Sequence, residues 1–266
     1  MAPAISETNR LMKVATWNVN SLRVRMEHLR RWVKANEPDV LALQETRVTN
    51  QDFPLDEINA IGYRAAYSGQ KTYNGVALLC RSEPRDVASE VPGLDDDQRR
   101  IVEATVRGVR VIDIYVPNGK TVAAPECEYK LDWLRGVTRH VKEQLEHHPR
   151  LLVVGDLNIA PEPRDVYDPT LWEGRVLFSE PERNAFRGLL ATGLTDVFRR
   201  FEQPEEQFSW WDYRLQGFRR NHGLRIDHVL ASNSMSKHCV RCAVDKAPRG
   251  WERPSDHAPV VAEFDI

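Results

Sequence analysis

Residues 39–44 read Asp-Val-Leu-Ala-Leu-Gln and residues 151–154 read Leu-Leu-Val-Val. These apolar runs are too short for an ordinary helix, and they do not alternate apolar with polar. They read as strands covered on both faces, which demands a layer of structure on each side. Other strands and helices are interleaved with them. Residues 12–19 read as a strand, and Met26, Leu29, Trp32 and Val33 follow at helical spacing until Pro38 closes the segment. Residues 75–80, 101–106 and 109–116 are further strands, the last two joined by an Arg107-Gly108 turn. Residues 126–147 form a long helix with Leu134, Val137, Val141 and Leu145 on one face, and 181–191 a shorter one. Late strands fall at 225–230 and 259–264, and the Pro-, Asp- and Gly-rich segment 161–178 reads as an irregular surface loop. Hairpins mixed with helices predict α+β layering, with sheets packed face to face and helices outside, and not a simple βαβ winding.

Composition narrows the class. The 266 residues fit one large catalytic domain, expected over residues 11–266 behind a flexible tail at 1–10. No apolar run approaches the roughly 20 residues of a membrane span, and the polar N-terminus has no signal-peptide core, so a cytoplasmic protein is expected. A net charge of −2 argues against a general nucleic-acid coat protein but not against an enzyme whose carboxylates offset clustered arginines. Four cysteines are no disulfide framework. Cys239 and Cys242 form a lone C-x-x-C, half a zinc site or redox pair on one reading and ordinary strand residues on the other; the absence of a second such pair favours the strand.

The polar residues that stand out lie at strand ends. Asn18 and Asn20 close the first strand, Glu45 and Arg47 the second, Tyr115 and Asn118 a middle one, and Asp156 and Asn158 the run after 151–154. Asp227 opens a late strand, and Asp256 and His257 precede the last. Singly, an Asp or Asn after a strand is more often a turn former or cap than a ligand. Together, carboxylates and amides suit a hard oxygen-seeking cation, a buried Asp can activate water, and a His beside a carboxylate can steady charge on a phosphate.

A second feature lies between residues 210 and 225. Trp210, Trp211, Tyr213 and Phe218 alternate with Arg214, Arg219, Arg220 and Arg225, with Asp212 the one acid. Arginines grip phosphates and aromatics pack on sugars or bases; the bland alternative is a loop anchored to the core by its aromatics. Arg99 and Arg100 either contact a nucleic-acid backbone or sit in a solvated charged loop.

The motifs WNVNSLR, LQET, NGVALL, QRRI, YVPNG, GDLNIAP, FSWWDYR, GLRIDH and SDHAPV occur in this order between Met12 and Phe264. In them the chain resembles the exonuclease III family of apurinic/apyrimidinic (AP) endonucleases, within the endonuclease/exonuclease/phosphatase superfamily. The resemblance implies a four-layer α/β sandwich, two packed mixed β-sheets flanked by helices. It implies Glu45 as principal ligand of Mg²⁺, replaceable by Mn²⁺, with Asn18 and Asp256 assisting and Asp156, Asn158 and His257 close to the ion. Asp156 would orient or deprotonate water, Asn158 hold that aspartate, His257 bind the phosphate, Asp227 orient His257, and Tyr115 steady developing charge. Asn20, Arg47, Asn118, Arg99, Trp210, Arg214 and Arg225 would contact DNA, Trp210 lining the pocket for a base-free sugar and Arg214 wedging beside it. The implied partner is duplex DNA with abasic sites or blocked 3′ ends, met at the nucleoid of a bacterial-type cell; no membrane or obligate protein partner is implied. The catalytic residues alone also permit a phosphatase of small molecules or lipid headgroups. A catalytically dead DNA-binding module is the third reading.

Overall fold

A computed structural model describes residues 11–94 and 96–266, so the expected tail at 1–10 lies outside the described residues. The strands are β1 (Met12–Asn18), β2 (Val40–Gln44), β3 (Arg64–Ser68), β4 (Val76–Cys80), β5 (Arg85–Ala88), β6 (Ile101–Val106), β7 (Val109–Tyr115), β8 (Leu151–Asp156), β9 (Leu194–Asp196), β10 (Trp210–Trp211), β11 (Gly223–Leu224), β12 (Asp227–Ser232), β13 (Cys239–Val244) and β14 (Val260–Phe264). The helices are α1 (Leu22–Asn36), α2 (Leu55–Ala60), α3 (Pro125–His147), α4 (Pro169–Trp172), α5 (Glu180–Leu190) and α6 (Asn233–Ser236).

Two six-stranded sheets, ordered β13-β14-β1-β2-β4-β3 and β5-β6-β7-β8-β12-β9, stack face to face. Each is mixed: β1–β2 and β7–β8 are parallel, and the remaining pairs are antiparallel. Alternation along each strand decides its partners. Val14, Val40, Ala42 and Leu78 point inward to meet Val102, Val111, Val154 and Val229 of the other sheet. Ala15, Trp17, Leu41 and Leu43 point outward against Leu22, Met26, Leu29 and Trp32 of α1. On the opposite outer face, Ile112, Ile114 and Val153 pack on Trp133, Leu134, Val137 and Val141 of α3 and on Phe186 and Leu189 of α5. Helix, sheet, sheet and helix are the four layers expected, and they explain why β2 and β8 carry apolar residues on both faces.

Segment 161–178 differs from the expected surface loop. It contains α4, and its Val166, Leu177 and Phe178 join Ala160, Leu224 and Ile226 in a small core of their own. Its composition signals turns, but these apolar residues give it something to bury. Cys239 and Cys242 are buried free thiols on β13, as the strand reading holds. Among the described residues no helix is long and apolar enough to cross a membrane.

Candidate active site

The two parallel strand pairs bring the C-terminal ends of β1, β2, β7 and β8 to one edge of the stacked sheets. β12 runs antiparallel to β8 with Asp227 opposite Asp156, so its N-terminal end arrives at the same edge. β14 pairs antiparallel with β1, which carries the turn before it, with Asp256 and His257, there as well. Gly155 permits the close approach of β8 and β7, because its φ is +145° and a Cβ there would lie 1.9 Å from the Ile114 carbonyl oxygen. Asn20, Ser21, Glu45, Arg47 and Asn158 all adopt left-handed backbone with φ between 45° and 93°, a costly conformation of the kind that collects at functional sites.

These ends bond to one another across the two sheets. Asn18 Nδ2 donates to Glu45 Oε1 at 2.8 Å and to Asp156 Oδ2 at 3.0 Å. The Tyr115 hydroxyl donates to Glu45 Oε1 at 3.0 Å. Arg47 closes an ion pair on the other Glu45 oxygen. The backbone N–H of Asn158, rather than its amide, donates to Asp156 Oδ1 at 2.9 Å, while Asn118 Nδ2 donates to Asn158 Oδ1 at 3.2 Å. His257 Nδ1 lies 2.9 Å from Asp227 Oδ2, and its Nε2 lies 3.7 Å from Asp156 Oδ2. Asp156, Asp227 and His257 are all buried, and one ligand atom from each falls within 4.8 Å of the others.

Burial sets the protonation of this group, and neighbouring charges modify it. Burial raises the Asp156 carboxyl, and Asp227 adds to the rise against the pull of His257, bringing it to about 7. Burial disfavours the His257 imidazolium, but Asp227 and Asp156 outweigh it and raise the ring to about 10. Burial, reinforced by Glu45 and Asp156, pushes the Tyr115 phenol well up, so it remains a neutral donor. Asp256 is held below its ordinary value: burial opposes this, but His257, Asn20 and Trp210 prevail.

The second feature meets the first directly. Trp210 Nε1 donates to Asp256 Oδ2 at 3.0 Å, and Asn20 Nδ2 donates to Asp256 Oδ1 at 2.8 Å. Both Asp256 oxygens therefore already accept bonds, and Asp256 is not in the tight group of Asp156, Asp227 and His257. Trp210 and Arg214 line an open, mainly apolar cavity of about 500 Å³ with Tyr167, Trp172, Leu215 and His222. The Arg214 side chain is 84% exposed and bonded only locally, to Asp212. Arg99 is partly exposed at the rim of a different cavity.

Two arginines stand elsewhere than expected. Arg225 is buried, 2.6 Å from Asp165 and 2.8 Å from Asp196, and its guanidinium stacks over Phe198. A DNA contact is thereby ruled out for it; Arg225 ties segment 161–178 to the approach of β12. Arg100 is also buried and donates to the Tyr115 carbonyl at 3.2 Å, supporting that strand end from behind. Other residues missed in the sequence brace the site. Lys130 on α3 is buried and donates to the carbonyls of Asn158 at 2.7 Å and Asn118 at 3.2 Å, and pairs with Glu182. Arg25 bonds the Asn20 and Pro254 carbonyls, and the Ser255 hydroxyl bonds the Asn18 carbonyl.

The donors suit a divalent cation. Carboxylate oxygens of Glu45 and Asp156 share the Asn18 amide between them, and Asp156, Asp227 and His257 bring ligand atoms within 4.8 Å of one another, a set of hard donors that fits such an ion.

A family described as endonuclease/exonuclease/phosphatase matches residues 15–257. Exodeoxyribonuclease III of Haemophilus influenzae is 34% identical over 95% of this chain and all of its own. Among solved structures, a 3′-5′ exonuclease (NExo) of Neisseria meningitidis is 45% identical with a TM-score of 0.94, over 96% of this chain and all of that one. NExo from Neisseria has also been solved as a 3′ phosphatase bound to a product DNA hairpin. An AP endonuclease from Archaeoglobus fulgidus is 38% identical with a TM-score of 0.92, over the same shares.

Proposed function

Because the chain belongs to the endonuclease/exonuclease/phosphatase family, on its exonuclease III branch, and is a nuclease, we propose that it repairs damaged duplex DNA by metal-dependent phosphoester hydrolysis. It cuts 5′ to abasic sites and clears 3′ ends as 3′-phosphodiesterase, 3′-phosphatase and 3′-to-5′ exonuclease. Residues 11–266 act as one catalytic unit on cytoplasmic DNA. The observation that carries this reading is the bond from Trp210 to Asp256, which fastens the aromatic–arginine segment beside His257. A small-molecule phosphatase has no use for that segment.

Attack of water on phosphorus gathers charge on the non-bridging oxygens. His257 is held by Asp227 through Nδ1, which leaves Nε2 to donate to one of them. Asp156, fixed by Asn18 and the Asn158 N–H, orients the water and takes its proton. The neutral Tyr115 hydroxyl donates its one proton to Glu45, so it steadies developing charge on the phosphate by turning from that carboxylate. Glu45, with Asn18, Asp156 and Asp256 nearby, would hold Mg²⁺ or Mn²⁺, which supplies positive charge to the phosphate and the leaving oxygen.

The test uses labelled duplexes bearing an abasic analogue, a 3′-phosphate or a plain 3′-hydroxyl, with Mg²⁺ and then with chelator. Metal-dependent scission 5′ to the lesion and release of 3′-phosphate are expected. Hydrolysis of inositol phosphates with every duplex intact would give the site to small molecules instead.

A further inference from the structure

Resting on that reading, we propose that Ser209 is a positioning residue for the reaction, a fixed hydroxyl donor that holds in place the Asp227 carboxylate that orients His257. Ser209 is fully buried and precedes Trp210 on the segment that reaches the site. Its Oγ lies 2.6 Å from Asp227 Oδ2, and it accepts the backbone N–H groups of Ile226 and Asp227, each at 3.1 Å. A hydroxyl has two lone pairs and one proton. The two N–H groups occupy both lone pairs, so the proton has a single remaining direction, onto the carboxylate. The same Asp227 oxygen stands 2.9 Å from His257 Nδ1. Ser209, Asp227 and His257 thus form a directed chain in which each donor is assigned: hydroxyl to carboxylate, imidazole to carboxylate. A carboxylate held by both bonds is fixed in place, which orients the His257 ring and aims Nε2 at the phosphate.

The backbone fixes the serine independently of this chain. Ser209 N donates to the Leu224 carbonyl at 2.9 Å, and its own carbonyl accepts from Ala258 N at 2.7 Å. One residue therefore joins three segments: the strand end with Asp227, the turn with His257 and the wall with Trp210.

Ser209→Ala removes the donor and orphans two buried N–H groups, so it is paired with Ser209→Cys, which keeps a weak acceptor but donates poorly, and with Ser209→Thr, which keeps the hydroxyl. Single-turnover 3′-phosphate release and DNA affinity are measured for each, in the native and Asp227→Asn backgrounds. Ser209→Cys is expected to slow turnover about tenfold or more with DNA affinity within about twofold, and Ser209→Thr to restore most of it. In the Asp227→Asn background the cysteine is expected to cost less than about twofold, the non-additivity of residues acting in series. Nitrogen-15 spectra of the His257 ring, which need no activity, are expected to shift for Ser209→Cys and not for Ser209→Thr. Equal losses in both backgrounds, or an unchanged ring spectrum with full turnover, overturn the proposal. An unmodified protein that releases no phosphate overturns the DNA-repair reading instead, and the ring spectrum still tests Ser209.

Discussion

Replacing Asp113 by Asn is expected to stabilise the fold, and by more as the pH rises. Asp113 on β7 is fully buried between the sheets, where Gln44 Nε2 donates to its Oδ1 at 2.6 Å. Its Oδ2 and the Gln44 Oε1 are both buried without a partner while the carboxyl is ionised. A proton on Oδ2 removes the charge from an oxygen that has no donor to meet it. Burial raises this carboxyl well above 3.8, against the pull of Gln44 and the Ala77 backbone. The folded group thus keeps its proton at a pH where the unfolded chain has lost it. Its contribution is complete below the unfolded value and declines as the pH climbs toward the folded one, by about 1.4 kcal/mol per pH unit for one proton. Asn is a neutral isostere with an N–H in place of the proton and does not titrate. The stability difference, Asn minus Asp, should therefore grow across roughly pH 5 to 7, by at most about 1.4 kcal/mol per pH unit. Urea unfolding of both proteins across this range, at unchanged m-value, measures it. A difference that stays flat with pH would mean an ionised Asp113 in the core and refute the reasoning.

Three further outcomes are expected. Arg225→Met leaves Asp165 and Asp196 buried without their shared cation and should cost about 3–5 kcal/mol in denaturant unfolding, while the salt dependence of DNA binding stays as it was. Arg214→Ala, at an exposed tip, should leave the melting temperature unchanged and weaken DNA binding with a shallower salt slope by about one; an unchanged slope removes it from the interface. Asp227→Asn should lower kcat by about 100-fold or more with little change in DNA affinity, since it removes the carboxylate that raises and aims His257; near-native turnover would take the orienting role from Asp227.

The layers were legible because physics writes them locally. Two-sided apolar runs such as 151–154 demand coverage, and the stripe Leu134, Val137, Val141 demands a sheet beneath it. Short edge elements such as β3, β5 and β9 carry too few apolar residues to announce themselves. Arg225 illustrates what patterning cannot carry. It stands in an arginine-rich stretch that reads as exposed, yet its partners Asp165 and Asp196 lie far away in the chain, and their pairing depends on how segment 161–178 folds back. Lys130 did leave a local trace. It falls four residues before Leu134 on the same helical stripe, and a Lys there is forced into the core unless carbonyls and a carboxylate meet it, as those of Asn118, Asn158 and Glu182 do.

The candidate site was legible as a set of residue types at strand ends, but its wiring was not, and the difference has a physical origin. Strand ends are fixed by register, which the apolar pattern specifies, so Asp227 must face Asp156 once β12 pairs with β8. Which oxygen accepts which proton depends on left-handed turns at Asn20, Glu45, Arg47 and Asn158, and these carry no apolar signature. Such turns are tolerated because buried bonds on both sides hold them: Ser255 to the Asn18 carbonyl, Arg25 to the Asn20 carbonyl, Lys130 to the Asn158 carbonyl. Each of these braces grips a backbone carbonyl and none presents its own side chain to a phosphate. The rigidity of the site thus belongs to residues one layer behind those that perform the chemistry, and substitutions in that layer should lower turnover through geometry while leaving the carboxylates and the imidazole intact.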